Sequence, residues 1–304
     1  MDDEGILDPL AADYLAAHPF LSTPMETLLP DLLALGRGPV GVPPIREIAT
    51  IVDEVVEGVP IRIYRGSDVP TGLVVYFHGG GFVIGSIGLM DNVAREIAYE
   101  SGAVVISVEY RLAPEYPYPA ALDDCEVVTR WALDNADRFG IPPTSIAVAG
   151  ESAGGNLSAC LALRLREAGD VPLAGQVLIY PVVAGSRGDF PSREAFEGVV
   201  LNRTTTTLYW EAYCGGRDLD AEPFAAPLWA DSLKGLPPAL VVLAGCDVLR
   251  DEGRAYSKRL RDEGVEVEEV CYPGQPHGFM NFGLPAATPA FERVGAWLRS
   301  KLPA

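Results

Sequence analysis

A mostly parallel α/β sheet with helices on both faces is the fold that the sequence predicts, and three observations predict it. Short apolar runs rich in β-branched residues recur along the chain, each about as long as a buried strand. Longer stretches of helical periodicity separate them, so strand and helix alternate. At 304 residues, with 48% hydrophobic and 21% charged side chains, the chain can bury one large core and is too apolar to be disordered. Such alternation calls for right-handed crossovers between parallel strands, with both faces of the sheet covered.

In chain order, residues 1–45 come first, with short helical pieces broken by prolines. Ile48 to Val52 and Val59 to Tyr64 read as two antiparallel strands at the leading edge of the sheet. Leu73 to Phe77, Ala103 to Val108, Ser145 to Ala149, Gly175 to Tyr180 and Ala239 to Leu243 are near-continuous apolar runs, the pattern of strands buried on both faces. Glu266 to Cys271 alternates, as a strand nearer an edge does. These runs make an eight-stranded sheet. Helix-compatible stretches lie near 88–101, 119–138, 153–168, 251–263 and 288–301. Residues 184–216 break the alternation, being rich in Gly, Arg, Thr and aromatics and ending in Leu208-Tyr209-Trp210-Glu211-Ala212-Tyr213. This segment and residues 1–45 read as additions over one end of the sheet. The core is then 46–183 together with 217–304.

Charge and cysteine usage narrow the function classes. Twenty-three basic against 42 acidic side chains give a net charge of −19, which repels phosphate backbones and anionic lipid. Nucleic acid and membrane surfaces are therefore not expected partners. The opening Met1-Asp2-Asp3-Glu4 has the wrong charge for a secretory signal, and no apolar run reaches the ~18 residues of a spanning helix. Five scattered cysteines, without CxxC or His-rich spacing, support neither a disulfide framework nor a metal site. The cytoplasm is the default location.

The chemistry-bearing motifs fall at strand ends. Gly150-Glu151-Ser152-Ala153-Gly154-Gly155 follows one predicted strand and opens a predicted helix, the context of a nucleophile elbow centred on Ser152. The tight turn needs small neighbours, and the helix points its positive end at the site. A glycine-rich turn that merely holds a serine is the bland reading. His78-Gly79-Gly80-Gly81-Phe82 follows the strand ending at Phe77, and its glycines offer unobstructed N–H groups suited to an oxyanion hole. A phosphate cradle is the rival reading, but neither GxxxxGK[ST] nor GxGxxG accompanies the loop. Of three histidines, His18 lies in the N-terminal addition and His78 in the glycine loop, so His277, after the last strand, is the expected base. The orienting acid is expected after the penultimate strand. Asp247 holds that place, with Asp251 and Glu252 a turn later as alternatives suited to a helix's first turn.

Taken together, these motifs identify a resemblance. The matching residues are His78-Gly79-Gly80-Gly81-Phe82-Val83-Ile84-Gly85-Ser86, Tyr110-Arg111-Leu112-Ala113-Pro114-Glu115, Pro119-Ala120-Ala121-Leu122-Asp123-Asp124, Gly150 to Leu157, Asp247 to Glu252 and His277-Gly278-Phe279. From about residue 70 onward the chain resembles the hormone-sensitive-lipase-like family of α/β-hydrolase carboxylesterases, bacterial esterase family IV. It departs from the family at Glu151, where Asp or Thr is commoner, at Glu109, where Asp or Asn is, and at Val248, where most members have Pro.

The resemblance implies an α/β-hydrolase fold carrying a helical cap from residues 1–45 and 184–216. It also implies a cofactor-free enzyme, and many members form homodimers. The expected activity is that of a serine carboxylesterase on short- to medium-chain acyl esters. Ser152 is the nucleophile, His277 the base and Asp247 the orienting acid, in the chain order of this fold. Gly79, Gly80 and Ala153 are expected to supply the oxyanion hole, with Phe82, Tyr209 and Trp210 on the substrate. The aromatics at 209, 210 and 213 are equally compatible with packing inside the cap. His78 is expected to anchor its loop. A non-catalytic small-molecule receptor on the same scaffold, and an amidase using the same triad, are the alternative functions.

Overall fold

The computed structural model describes residues 5–23, 33, 36–37, 46–169 and 173–302; the rest of the 1–45 segment lies outside the described residues. Eight strands form one sheet: β1 (Thr50–Val56), β2 (Val59–Arg65), β3 (Leu73–Phe77), β4 (Val104–Val108), β5 (Ile146–Glu151), β6 (Gly175–Ile179), β7 (Ala239–Cys246) and β8 (Val267–Pro276). Their spatial order is β1-β2-β4-β3-β5-β6-β7-β8. β1 pairs antiparallel with β2, and β2 with β4, while every other pairing is parallel. This is the α/β-hydrolase fold, with a mostly parallel sheet and the antiparallel hairpin at its edge.

The apolar runs explain the layering. β3, β4, β5, β6 and β7 are buried at every position, so each strand must face an apolar layer on both sides. One face packs on the helices Ala120–Asp134, Ala153–Ala168 and Arg250–Asp262 through Leu122, Leu157, Leu161 and Tyr256. The other packs on Asp91–Ser101 and Ala287–Lys301 through Ile97, Val294 and Leu298. Glycines in the left-handed conformation close several of these helices, including Gly102 and Gly169.

Two strands run further than the apolar pattern predicts. β7 continues through Gly245 and Cys246, and β8 continues through Pro273-Gly274-Gln275-Pro276. β8 is an end strand, where a proline's missing N–H leaves no ladder bond unmade. A register shift between Ala244 and Cys246 then sets Cys246 opposite Pro276. The residues that follow the two paired ends are Asp247 and His277, so the sheet carries them out side by side.

Within 184–216, short helices form at Pro191–Ala195 and Arg203–Cys214. Near the N-terminus a helix spans Pro9–Ala17, capped by Asp8, whose side chain accepts from Leu10 N–H and Ala11 N–H. The Asp8 N–H donates to Gly274 O, and Tyr14 stacks on Phe282 at 5.3 Å, so this helix rests beside the end of β8.

Candidate active site

The site begins at the end of β5. Ser152 takes φ 56° and ψ −117°, a left-handed conformation held by the donation of its N–H to Ile179 O at 2.8 Å. The turn exists only because its neighbours are glycines. A Cβ on Gly154 would lie 1.9 Å from Phe77 O, and one on Gly150 2.3 Å from the backbone of Gly154. Helix Ala153–Ala168 starts at the next residue and directs the positive end of its dipole at the serine.

His277 lies between the serine and an acid. Ser152 Oγ–H donates to His277 Nε2 at 3.0 Å, and His277 Nδ1–H donates to Asp247 Oδ2 at 2.7 Å. The other oxygen of Asp247 accepts from Leu249 N–H at 2.9 Å, which fixes the carboxylate in the ring plane's reach. Asp247 is fully buried, and Tyr180 meets the imidazole edge-on at 4.9 Å between ring centres. The two alternative acids are engaged elsewhere. Asp251 accepts from Ser192 N–H at 2.9 Å and pairs with Arg250. Glu252, fully buried, accepts from Val183 N–H and pairs with Arg193 at 2.8 Å.

Facing the serine is the glycine loop that follows β3. His78 anchors it: Nδ1–H donates to Gly79 O at 2.7 Å, Tyr110 O–H donates to His78 O at 2.6 Å, and the two rings stack at 4.2 Å. Full burial of the imidazole pushes it down to about 4, so it stays neutral. The N–H of Gly79, expected to serve the oxyanion hole, instead donates to Glu151 Oε1 at 2.7 Å, which removes it from the donor set. Among the described residues, the N–H groups of Gly80, Gly81 and Ala153 have no acceptor. Gly81, the third glycine of the same motif, is thus as free to donate as Gly80 and Ala153.

The three expected substrate contacts separate. Phe82 is 2% exposed and stacks on Tyr213 at 3.8 Å, so its ring is core and not pocket surface. Trp210 packs beside the same pair and donates from Nε1 to Asp220 Oδ1 at 3.1 Å. Tyr209 differs, because its ring lies directly over the glycine loop. A Cβ on Gly81 would sit 2.1 Å from that ring. Burial pushes the Tyr209 hydroxyl up to about 12. No motif announced Glu151, Tyr76 or Asn281 as neighbours of the loop; Tyr76 and Asn281 carry no local sequence signal at all.

Comparisons with known proteins bear on the fold and the family. A family profile described as the alpha/beta hydrolase fold matches residues 74–281. The chain is 36% identical over 302 residues to the esterase LipI of Mycobacterium tuberculosis, covering 96% of this chain and 94% of that protein. It is 38% identical over 308 residues to the carboxylesterase NlhH of the same organism, covering 97% and 96%. Among solved structures, a hyperthermophilic esterase from the archaeon Pyrobaculum calidifontis superposes with a TM-score of 0.88 at 34% identity, covering 97% of this chain and 98% of that one. With the fold, the match along the chain and esterases on every side, the chain belongs to the hormone-sensitive-lipase-like esterases of the α/β-hydrolase family and is a carboxylic ester hydrolase.

Proposed function

We propose that the chain hydrolyses short- to medium-chain acyl esters through Ser152, His277 and Asp247. The observation that carries this is the unbroken relay from Ser152 Oγ to His277 Nε2 and from His277 Nδ1 to Asp247. In the first step His277 takes the hydroxyl proton as Ser152 Oγ attacks the ester carbonyl. The developing oxyanion is met by the N–H groups of Gly80, Gly81 and Ala153, each contributing about 3 kcal/mol if typical of such donors. The imidazolium, steadied by Asp247, then protonates the leaving alcohol. Water, activated by the same His277 nitrogen, releases the acid and restores the serine. A receptor on this fold would need no base against the serine, so the relay favours catalysis.

Residues 5–23 and 184–216 belong to the cap in this reading, and Tyr209 forms the wall nearest the scissile carbonyl. With that ring over the glycine loop limiting its length, the acyl chain is short or medium in this reading, each buried methylene gaining about 0.8 kcal/mol until the pocket is full. Among the described residues no helix is long and apolar enough to cross a membrane. The five cysteines are free, which suits the reducing cytoplasm. A homodimer, which the family resemblance implies, belongs to the same proposal.

The test is an acyl-length series of nitrophenyl esters on the purified protein. The expected kcat/KM rises from acetate to butyrate or hexanoate and then falls, with emulsified long-chain triglyceride nearly inert. Ser152→Ala should keep the fold and lose activity on the order of 10⁶-fold, the size of a missing nucleophile. More than a tenth of the wild-type kcat in that variant would refute the triad.

A further inference from the structure

The residue just before the nucleophile carries a contact set that the triad does not use. Glu151 is 1% exposed, at the last position of β5. A buried carboxylate in this position costs stability unless its lone pairs are met. Three donors from three separate segments meet them. Tyr76 O–H, on β3, donates to Oε2 at 2.5 Å. Gly79 N–H, in the glycine loop, donates to Oε1 at 2.7 Å. Asn281 Nδ2, in the loop beyond His277, donates to Oε1 at 3.3 Å. Asn281 in turn accepts from Tyr180 O–H at 2.9 Å, and Tyr180 is the ring against the imidazole. One carboxylate therefore ties the glycine loop to the turn that holds the serine and to the loop that holds the base.

We infer that Glu151 is a positioning residue: by holding the Gly79 N–H it fixes the turn at which Gly80 and Gly81 present their own N–H groups to the reacting carbonyl. The argument rests on the triad reading above and adds to it. Once Gly79 is tied down, the chain turns through Gly80 at φ 115° and Gly81 at φ 61°. Val83 N–H and Ile84 N–H close that turn on Gly80 O at 3.1 and 2.9 Å. His78 and Tyr110 hold the start of the loop, and Glu151 is the contact that ties it to the end of the strand carrying Ser152. Reach matters more than charge: the side chain spans from the end of β5 to both Gly79 and Tyr76. An aspartate is one methylene too short to keep both contacts. A glutamine keeps the length, one oxygen for Gly79 and an amide for the Tyr76 oxygen. Burial pushes the Glu151 carboxyl up to about 7, so a neutral group of this shape is a fair substitute.

The test compares Glu151→Asp and Glu151→Gln, measuring kcat and KM for nitrophenyl butyrate beside circular dichroism of each variant. Oxyanion contacts act only in the transition state, so the loss should fall on kcat. A deleted donor costs about 10²–10³ in kcat, and a displaced loop is expected to cost about 10- to 100-fold. The Asp variant should show that loss with KM within about threefold, and the Gln variant should recover most of it. The inference is overturned if the Gln variant is the worse of the two, if both match wild type, if KM changes in place of kcat, or if either variant loses its native spectrum. Full activity in Ser152→Ala would instead refute the triad and leave these outcomes distinguishable from it.

Discussion

At the strand ends each side chain of the proposed triad is held by a hydrogen bond close to the sheet: Ser152 by Ile179, Asp247 by Leu249, His277 by Asp247. The aromatic layer above them is held differently. Phe82, Tyr213 and Trp210 lean on one another, and Trp210 reaches a single polar anchor, Asp220. Hydrogen bonds of fixed length leave little freedom to the floor, whereas ring packing tolerates other shapes of similar volume. The chemistry should therefore respond to single atoms in the floor, and substrate choice to side-chain bulk in the roof.

The largest effect expected from this contrast is at Asp247. Asp247→Asn preserves shape but allows the wrong imidazole tautomer, and kcat should fall on the order of 10⁴-fold. Asp251→Asn, four residues on, should change kcat by no more than a few-fold, since that carboxylate contacts Ser192 and Arg250. Stopped-flow or steady-state ester kinetics on the pair decides it, and a reversed order would move the acid to 251.

A second effect concerns the two buried titratable groups under the glycine loop, whose contributions to stability oppose each other. His78 is pushed down to about 4 from an ordinary 6.5, so below pH 6.5 the unfolded chain binds the extra proton. Its contribution to stability rises with pH from about 4 to 6.5. Glu151 is pushed up to about 7 from an ordinary 4.5, so between those values the folded chain holds the extra proton and its contribution falls as pH rises. The two nearly cancel across the overlap. Glu151→Gln removes one side of the balance, and melting temperature should then climb between pH 4.5 and 6.5, by the equivalent of up to about 3 kcal/mol. A melting profile with the same slope as the wild type's across that range would contradict the pair.

In the roof, Trp210→Ala should cost stability of about 2 kcal/mol, less than the ~3–5 of a fully buried tryptophan, with kcat on acetate little changed. Chemical denaturation measures this. Tyr209→Ala should cost stability of a similar order, and it should also shift the acyl optimum toward longer chains. Two extra methylenes accommodated at about 0.8 kcal/mol each would alter the long-to-short preference by roughly tenfold. If Trp210 shifts the optimum and Tyr209 does not, the two residues exchange roles.

The floor was the more legible half in the sequence, for a physical reason. Apolar runs mark strands, and strand ends narrow the positions to weigh, so the Gly150–Gly155 motif, the place of His277 after the last strand and that of Asp247 after the one before it single out three residues that the structure brings together. The same reasoning misassigned Gly79. A run of glycines shows which N–H groups are unobstructed but not which one finds an acceptor 72 residues away. The alternating pattern of β8 stops at Cys271, because a proline and a glycine look like a stop signal unless the strand is known to be at an edge, yet the strand runs on to Pro276. In the roof, Tyr209 and Trp210 are adjacent on one helix and so point about 100° apart. Which of them faces the site depends on how the helix docks, and neither periodicity nor composition records that. Phe82 was assigned to the substrate by its place beside the glycines, but the ring turns away and stacks on Tyr213.

The span of the relay has a kinetic consequence. Ser152 and His277 stand 125 residues apart in the chain, and Asp247 and His277 stand 30 apart. No local segment can form the relay, because β5, β7 and β8 must first be assembled in register. Such non-local closure is slow, and its loop entropy is recovered only when the sheet is complete. Ester turnover is therefore a late reporter of refolding: secondary structure should return first, and activity only when the last parallel strands have docked.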